Sequence, residues 1–128
     1  MTLNEMISVI RSLNRGKYED EQIIRWINEV DERIWREVIL THCDAPFDEF
    51  EPYTEADLTR ELLAPTYYSG IYKNYVDSQI YSANADTVKA NNSASAFNSI
   101  YNDYANEYNR THMPRNTNIT FRGDRRWC

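Results

Sequence analysis

The residues able to do chemistry are few, and their spacing does not suit it. His42, Cys43, His112 and Cys128 are the chain's only Cys/His ligands for a zinc ion. They lack the paired short spacing of structural zinc sites. Adjacent His42-Cys43 side chains at a helix end point in different directions, so a surface histidine beside an incidental cysteine is the expected reading. The cluster Asp48-Glu49-x-Glu51 has neither the glycine nor the terminal glutamate of a calcium loop and reads as a solvated acidic loop. Gly16, Gly70 and Gly123 are isolated, so no glycine loop cradles a phosphate, and GxSxG, HExxH and CxxC patterns are absent. Catalytic, metal and cofactor residues are therefore all expected to be none, and the chain is expected not to be an enzyme.

The elements that must position these residues are helical. At 128 residues the chain is expected to be one domain by size, with three glycines and four prolines. No apolar run approaches a membrane span, and the start shows no basic-then-apolar leader pattern, so no membrane partner is expected. Two cysteines make no disulfide framework, and a reduced, cytosolic setting follows. The triplets starting at Asn91, Asn109 and Asn118 match a glycosylation pattern but carry little weight without a secretory signal.

Apolar spacing predicts an all-α fold, a four-helix bundle-like domain with helices near 3–13, 21–41, 67–85 and 92–110. Thr2 and Glu5 have capping-box spacing for the first helix, and Gly16 suits its close. Asp20 is the expected cap of the second. There Ile23, Trp26, Ile27, Val30, Ile34 and Val38 form a stripe, and Ile24, Trp35 and Ile39 widen it. Either a loop or a neighbouring subunit must cover that extra width. The segment 42–65 is a long acidic loop, with the aromatics Phe47, Phe50 and Tyr53 pinning it to the body; Thr54 and Asp57 can start a short strand or helical turn around Thr54–Leu62.

The stretch Thr66 to His112 holds eight of the ten tyrosines. Helical spacing turns most of them toward a core or a subunit interface, where tyrosine is enriched. Tyr81 falls on the polar side and joins Ile24, Trp35 and Ile39 as a candidate subunit-interface residue. A turn is expected near 86–91.

Charge divides the chain. Residues 1–108 carry nine Lys/Arg against nineteen Asp/Glu, a balance of −10, and residues 109–128 carry five arginines against Asp124, a balance of +4. Pro114 ends the helical period, which predicts a helical domain over 1–113 and an extended C-terminal arm over 114–128. Asn118 to Arg122 alternates like a short strand. The arm has three readings: a solvated tail, a nucleic-acid contact opposed by the acidic body, or a docking segment on a protein partner. Arginine with aromatics favours the last. Its candidate residues are Arg115, Ile119, Phe121, Arg122, Arg125, Arg126 and Trp127.

Several stretches carry a resemblance. They are Met1-Thr2-Leu3-Asn4-Glu5-Met6, Tyr18-Glu19-Asp20-Glu21 before a helix bearing Trp26, Tyr53-Thr54-Glu55 leading to Glu61-Leu62-Leu63-Ala64-Pro65, and Asn91-Asn92-Ser93 through Phe97-Asn98-Ser99 to Tyr108-Asn109-Arg110-Thr111-His112-Met113-Pro114. Together they resemble the small helical head–tail connector proteins of tailed bacteriophages, also called adaptor or head-completion proteins. The resemblance implies a homo-oligomeric ring, commonly of twelve copies, between the portal protein and a stopper or tail-completion protein. It implies a virion-neck location after assembly in the host cytoplasm. Genomic DNA would pass through the channel without sequence-specific contact, and an acidic wall would keep it from adhering. Family members often grip the portal with a C-terminal segment, which makes the arm a portal-docking arm. The resemblance transfers no catalytic or binding residue. The alternative reading is a small helical regulator that binds nucleic acid through the basic tail.

Overall fold

The computed structural model describes residues 1–13, 18–42 and 49–112. Four helices, α1 (Leu3–Leu13), α2 (Asp20–Ile34), α3 (Gly70–Ala83) and α4 (Thr87–Thr111), give an all-α fold, with no strand among the described residues. Gly16 and the arm lie outside them, as do Cys43 and Phe47 of the acidic loop.

α1 starts as its sequence predicts. The Thr2 N–H donates to Glu5 Oε1 at 2.9 Å, and the Glu5 N–H donates to Thr2 Oγ1 at 3.2 Å. The box satisfies two of the backbone donors a helix start leaves open. α1 buries Leu3, Met6, Ile7 and Ile10 against α2 and α3. Each side chain of this size contributes roughly 1.5–3 kcal/mol when fully buried.

α2 begins one residue before its expected range. Glu19 occupies the cap position without a side-chain cap bond, and Asp20 forms an ion pair with Arg11 across the α1–α2 corner. Asp20 is thus not the cap: its carboxylate has a cation to meet. The helix runs into a five-residue π turn, Trp35–Ile39, where the Leu40 N–H donates to Trp35 O at 2.8 Å. The wider turn inserts a residue into the α-helical register, and such turns recur at functional positions.

The long loop is folded. A 3-10 turn at Glu55–Asp57 carries a capping box from Thr54 and Asp57. Beyond it the backbone pairs with the start of α1, with Thr2 bridged to Glu61 and the Leu3 and Asn4 N–H groups donating to Arg60 and Leu58 carbonyls. A second 3-10 turn at Thr66–Tyr68 precedes α3, which therefore starts at Gly70, later than the predicted 67.

α3 and α4 form an antiparallel hairpin around the short corner at residues 84–86. Ala85 has φ of 60°, a left-handed conformation. The Asp86 carboxylate accepts from the Lys89 N–H at 3.2 Å, so α4 starts at Thr87, five residues before the predicted 92. The core runs through all four helices and the folded loop: Ile27, Val30 and Ile34 of α2 with Tyr53, Leu62, Ile71, Tyr72, Val76, Phe97, Tyr101 and Tyr104.

Candidate functional site

A polar knot lies inside this core. Asp31 is fully buried on α2. Its Oδ2 accepts from the Tyr53 hydroxyl at 2.5 Å and the Leu63 N–H at 3.1 Å, and its Oδ1 accepts from the Tyr72 hydroxyl at 2.5 Å. Tyr72 in turn accepts from the Ala64 N–H at 2.9 Å. Three parts of the chain, α2, the folded loop and α3, thus meet at one carboxyl group. Burial pushes its pKa from 3.8 up to about 6, against the pull of hydrogen bonds from Tyr53, Tyr72 and the Leu63 N–H. Burial likewise holds the Tyr53 and Tyr72 phenols well above their ordinary value, so both remain donors.

One turn earlier, Asn28 donates to Tyr53 O at 3.0 Å and accepts from the Tyr53 N–H at 2.7 Å. A single amide side chain thus replaces the strand partner that an extended loop lacks.

A second cluster joins α2 to α4. The Arg33 guanidinium lies over the rings of Tyr101 (4.6 Å) and Phe97 (5.4 Å) and bonds Glu37 at 2.9 Å. The Tyr101 hydroxyl donates to the same Glu37 oxygen at 2.8 Å. That bond first, and Arg33 second, hold the Glu37 carboxyl below its usual range. Nearby, Tyr75 donates to Glu29 at 3.1 Å, and burial raises its phenol to about 12.

A third feature is a column of rings along the far end of α4. Tyr67 meets Tyr68, Tyr68 meets Tyr104, Tyr104 meets Tyr108, and Tyr108 stacks on His112 at 3.7 Å. His42, at the end of the π turn, packs edge-on against Tyr108 at 4.8 Å and lies 6.0 Å from the His112 ring. Each histidine donates Nδ1–H to the carbonyl four residues back, His42 to Val38 at 2.6 Å and His112 to Tyr108 at 3.0 Å. His42 is therefore a buried, hydrogen-bonded residue rather than a surface one. Their separation in sequence concealed that the two histidines meet. Among the described residues, no group of three or more His, Cys, Asp or Glu side chains is arranged to hold a metal ion.

Two adjoining clefts, of about 590 and 550 Å³, share Ile24 and Glu55 and lie between the N-terminal half of α2 and the 55–57 turn. Their walls mix carboxylates and arginines, and neither includes Asp31. The Asp31 carboxyl is enclosed by the core and joins α2, the folded loop and α3.

The candidate interface residues divide. Ile24 and Ile39 are core residues at 5% and 4% exposure, covered within the chain. Trp35 is half-buried, beside Phe50 and Pro52. Tyr81 is also half-buried, with the Lys89 ammonium 5.6 Å from its ring centre. The most exposed tyrosine among the described residues is Tyr67, at 87%, in the 3-10 turn before α3. Arg115, Ile119, Phe121, Arg122, Arg125, Arg126 and Trp127 lie outside the described residues.

No helix of the described residues is long and apolar enough to cross a membrane. No protein-family model matches this chain, and neither a curated protein nor a solved structure does.

Proposed function

We propose that this chain is a structural connector of the tailed-phage neck, which assembles as a ring on a portal and extends the DNA channel toward a stopper or tail-completion protein. The observation that carries the reading is the union of an acidic helical body with a basic, aromatic-bearing arm that follows the end of α4. The stretches that resemble connectors support it: they lie at the start of α1, in the loop pinned by Asn28 and Asp31, and along α4. Trp35, Tyr67 and Tyr81 offer aromatic surface for contacts between copies, a composition enriched at interfaces. The acidic body suits a channel wall past which DNA slides. Catalysis has no part in this reading, and the arm is the portal-docking element.

The test is electron microscopy of the full chain mixed with portal, alongside a chain lacking residues 115–128. The full chain should add a ring of density at the portal, while the truncated chain keeps its helical circular dichroism and adds none. Normal attachment of the truncated chain would sink the docking-arm role, and no added density from the full chain would sink the connector reading. Changing Phe121 and Trp127 to alanine should weaken attachment more than single arginine changes, because buried aromatics usually anchor an interface.

The five arginines of residues 109–128 also support a second reading, a regulator that binds nucleic acid. It predicts binding that falls steeply as salt rises. No gel shift at low salt would remove it.

A further inference from the structure

We infer that Asp31 is a proton-controlled latch on the segment 53–64: the segment closes on α2 most firmly while the carboxyl carries a proton, and it loosens when the proton leaves. The inference is independent of the connector reading.

The geometry supplies the latch. Two of the three donors to Asp31, the Tyr53 hydroxyl and the Leu63 N–H, belong to the segment, and the third, Tyr72, holds the segment's Ala64 N–H. Lifting the segment away would part these bonds and admit water to a carboxyl that is otherwise fully buried.

Either protonation state fits the closed form. With the carboxyl ionised, both tyrosines donate to it. With the carboxyl neutral, Tyr53 can turn its proton to Glu61 O, 3.5 Å away, and accept from Asp31. Neither state leaves a buried polar group without a partner, so closure tolerates the proton. Opening does not treat the two states alike, because water solvates the charged form far better than the core does. Deprotonation, with the proton passing to water, therefore favours opening.

The surroundings leave Asp31 as the group that switches. From the segment it is faced by Tyr53 and, farther off, by Arg60, whose guanidinium lies 4.4 Å from the Tyr53 ring centre. From α3 it is faced by Tyr72, and from α4 the Tyr104 phenol senses its charge. Burial holds all three phenols protonated across the neutral range. The two charged side chains of α1 are engaged elsewhere, Glu5 with Thr2 and Arg11 with Asp20.

The test is amide hydrogen exchange of the full chain between pH 4.5 and 7.5, corrected for the intrinsic pH dependence of exchange. The opening constant at Leu63 and Ala64 should rise at least about 10-fold over this range. Its ceiling over this range is roughly 25-fold, set by the lift of the carboxyl from 3.8 to about 6. The same amides should show a flat profile in Asp31→Asn. A flat or falling profile in the unmodified chain overturns the latch. So do opening constants at Leu63 and Ala64 no larger than those at Phe97 and Tyr101, since whole-molecule unfolding is not a latch. If Asp31→Asn does not fold, the carboxyl carbon-13 resonance of Asp31 in the unmodified chain decides: a midpoint near 6 supports the latch, and one near 4 overturns it.

Discussion

Asn28 holds both backbone polar groups of Tyr53, accepting from its N–H at 2.7 Å and donating to its carbonyl at 3.0 Å. The contact fixes the backbone of the folded loop at the residue whose hydroxyl then reaches Asp31. Asn28→Ala removes both bonds. Each intramolecular hydrogen bond is worth about 1 kcal/mol net, so a loss of about 2 kcal/mol is expected. Urea unfolding measures the loss, and limited proteolysis should show faster cutting within residues 49–65. A change below about 0.5 kcal/mol would mean that water replaces the amide without cost.

Asp31 gives the stability a pH dependence whose sign follows from its burial. Its carboxyl is raised when folded, so its contribution is fully present below about pH 4 and is lost as pH rises through about 6. The full loss is on the order of 3 kcal/mol. Carboxylates such as Glu37, whose pKa is lowered, act in the opposite direction. The clean measurement is therefore the difference between the unmodified chain and Asp31→Asn. That difference should move against the unmodified chain between pH 4 and 6 and stay level above 7.

Gly70, at the start of α3, lies close against Ile100 of α4. A β-carbon there would stand 2.9 Å from Ile100 Cδ1. Alanine is the better helix former by up to about 1 kcal/mol, but overpacking commonly costs about 1–3 kcal/mol. The atom in the way is the end of a flexible side chain, so the clash is relieved by rotation of Ile100. Gly70→Ala should be destabilising by no more than about 1 kcal/mol, and Gly70→Val by more. Combining Gly70→Ala with Ile100→Val should recover the loss, which a double-mutant cycle of thermal midpoints would reveal.

Tyr101→Phe separates packing from hydrogen bonding in the α2–α4 cluster. The ring keeps its place under Arg33, while Glu37 loses the bond that most strongly lowers its pKa. The Glu37 carboxyl should then titrate higher, as read by carbon-13 NMR. A destabilisation of about 1 kcal/mol should accompany it. By contrast, Tyr67→Ser should leave the monomer within about 0.5 kcal/mol of the parent, because the side chain is 87% exposed.

Helices with a strong apolar period were legible, and so was the Thr2–Glu5 box, because such signals reside in neighbouring residues. Asp31 was not singled out, although the signal was there. It follows Ile27 by four residues and precedes Ile34 by three, so a helical wheel sets it inside the apolar stripe. The partners that make it tolerable, Tyr53, Leu63 and Tyr72, come from 22 to 41 residues away. The π turn was invisible for a related reason: it breaks the regular period on which the wheel depends. Ile39 accordingly lies deeper than a uniform 100° step implies. The first five residues of α4 carry no apolar period, and their helicity rests on the Asp86 cap. Trp35 and Tyr81 are only half-buried, and helical spacing could not rank either against Tyr67.

α4 also acts as a ruler. Gly70 fixes where it lies against α3 at Ile100, and eleven residues then separate Ile100 from Thr111, about 16 Å of rise. The helix end is clamped by the Tyr108–His42 contact, at the far end of the π turn. Inserting or deleting one residue between Ile100 and Tyr108 would shift the point of departure by about 1.5 Å and turn it by about 100°. The place where α4 ends is thus written into a length as well as a composition.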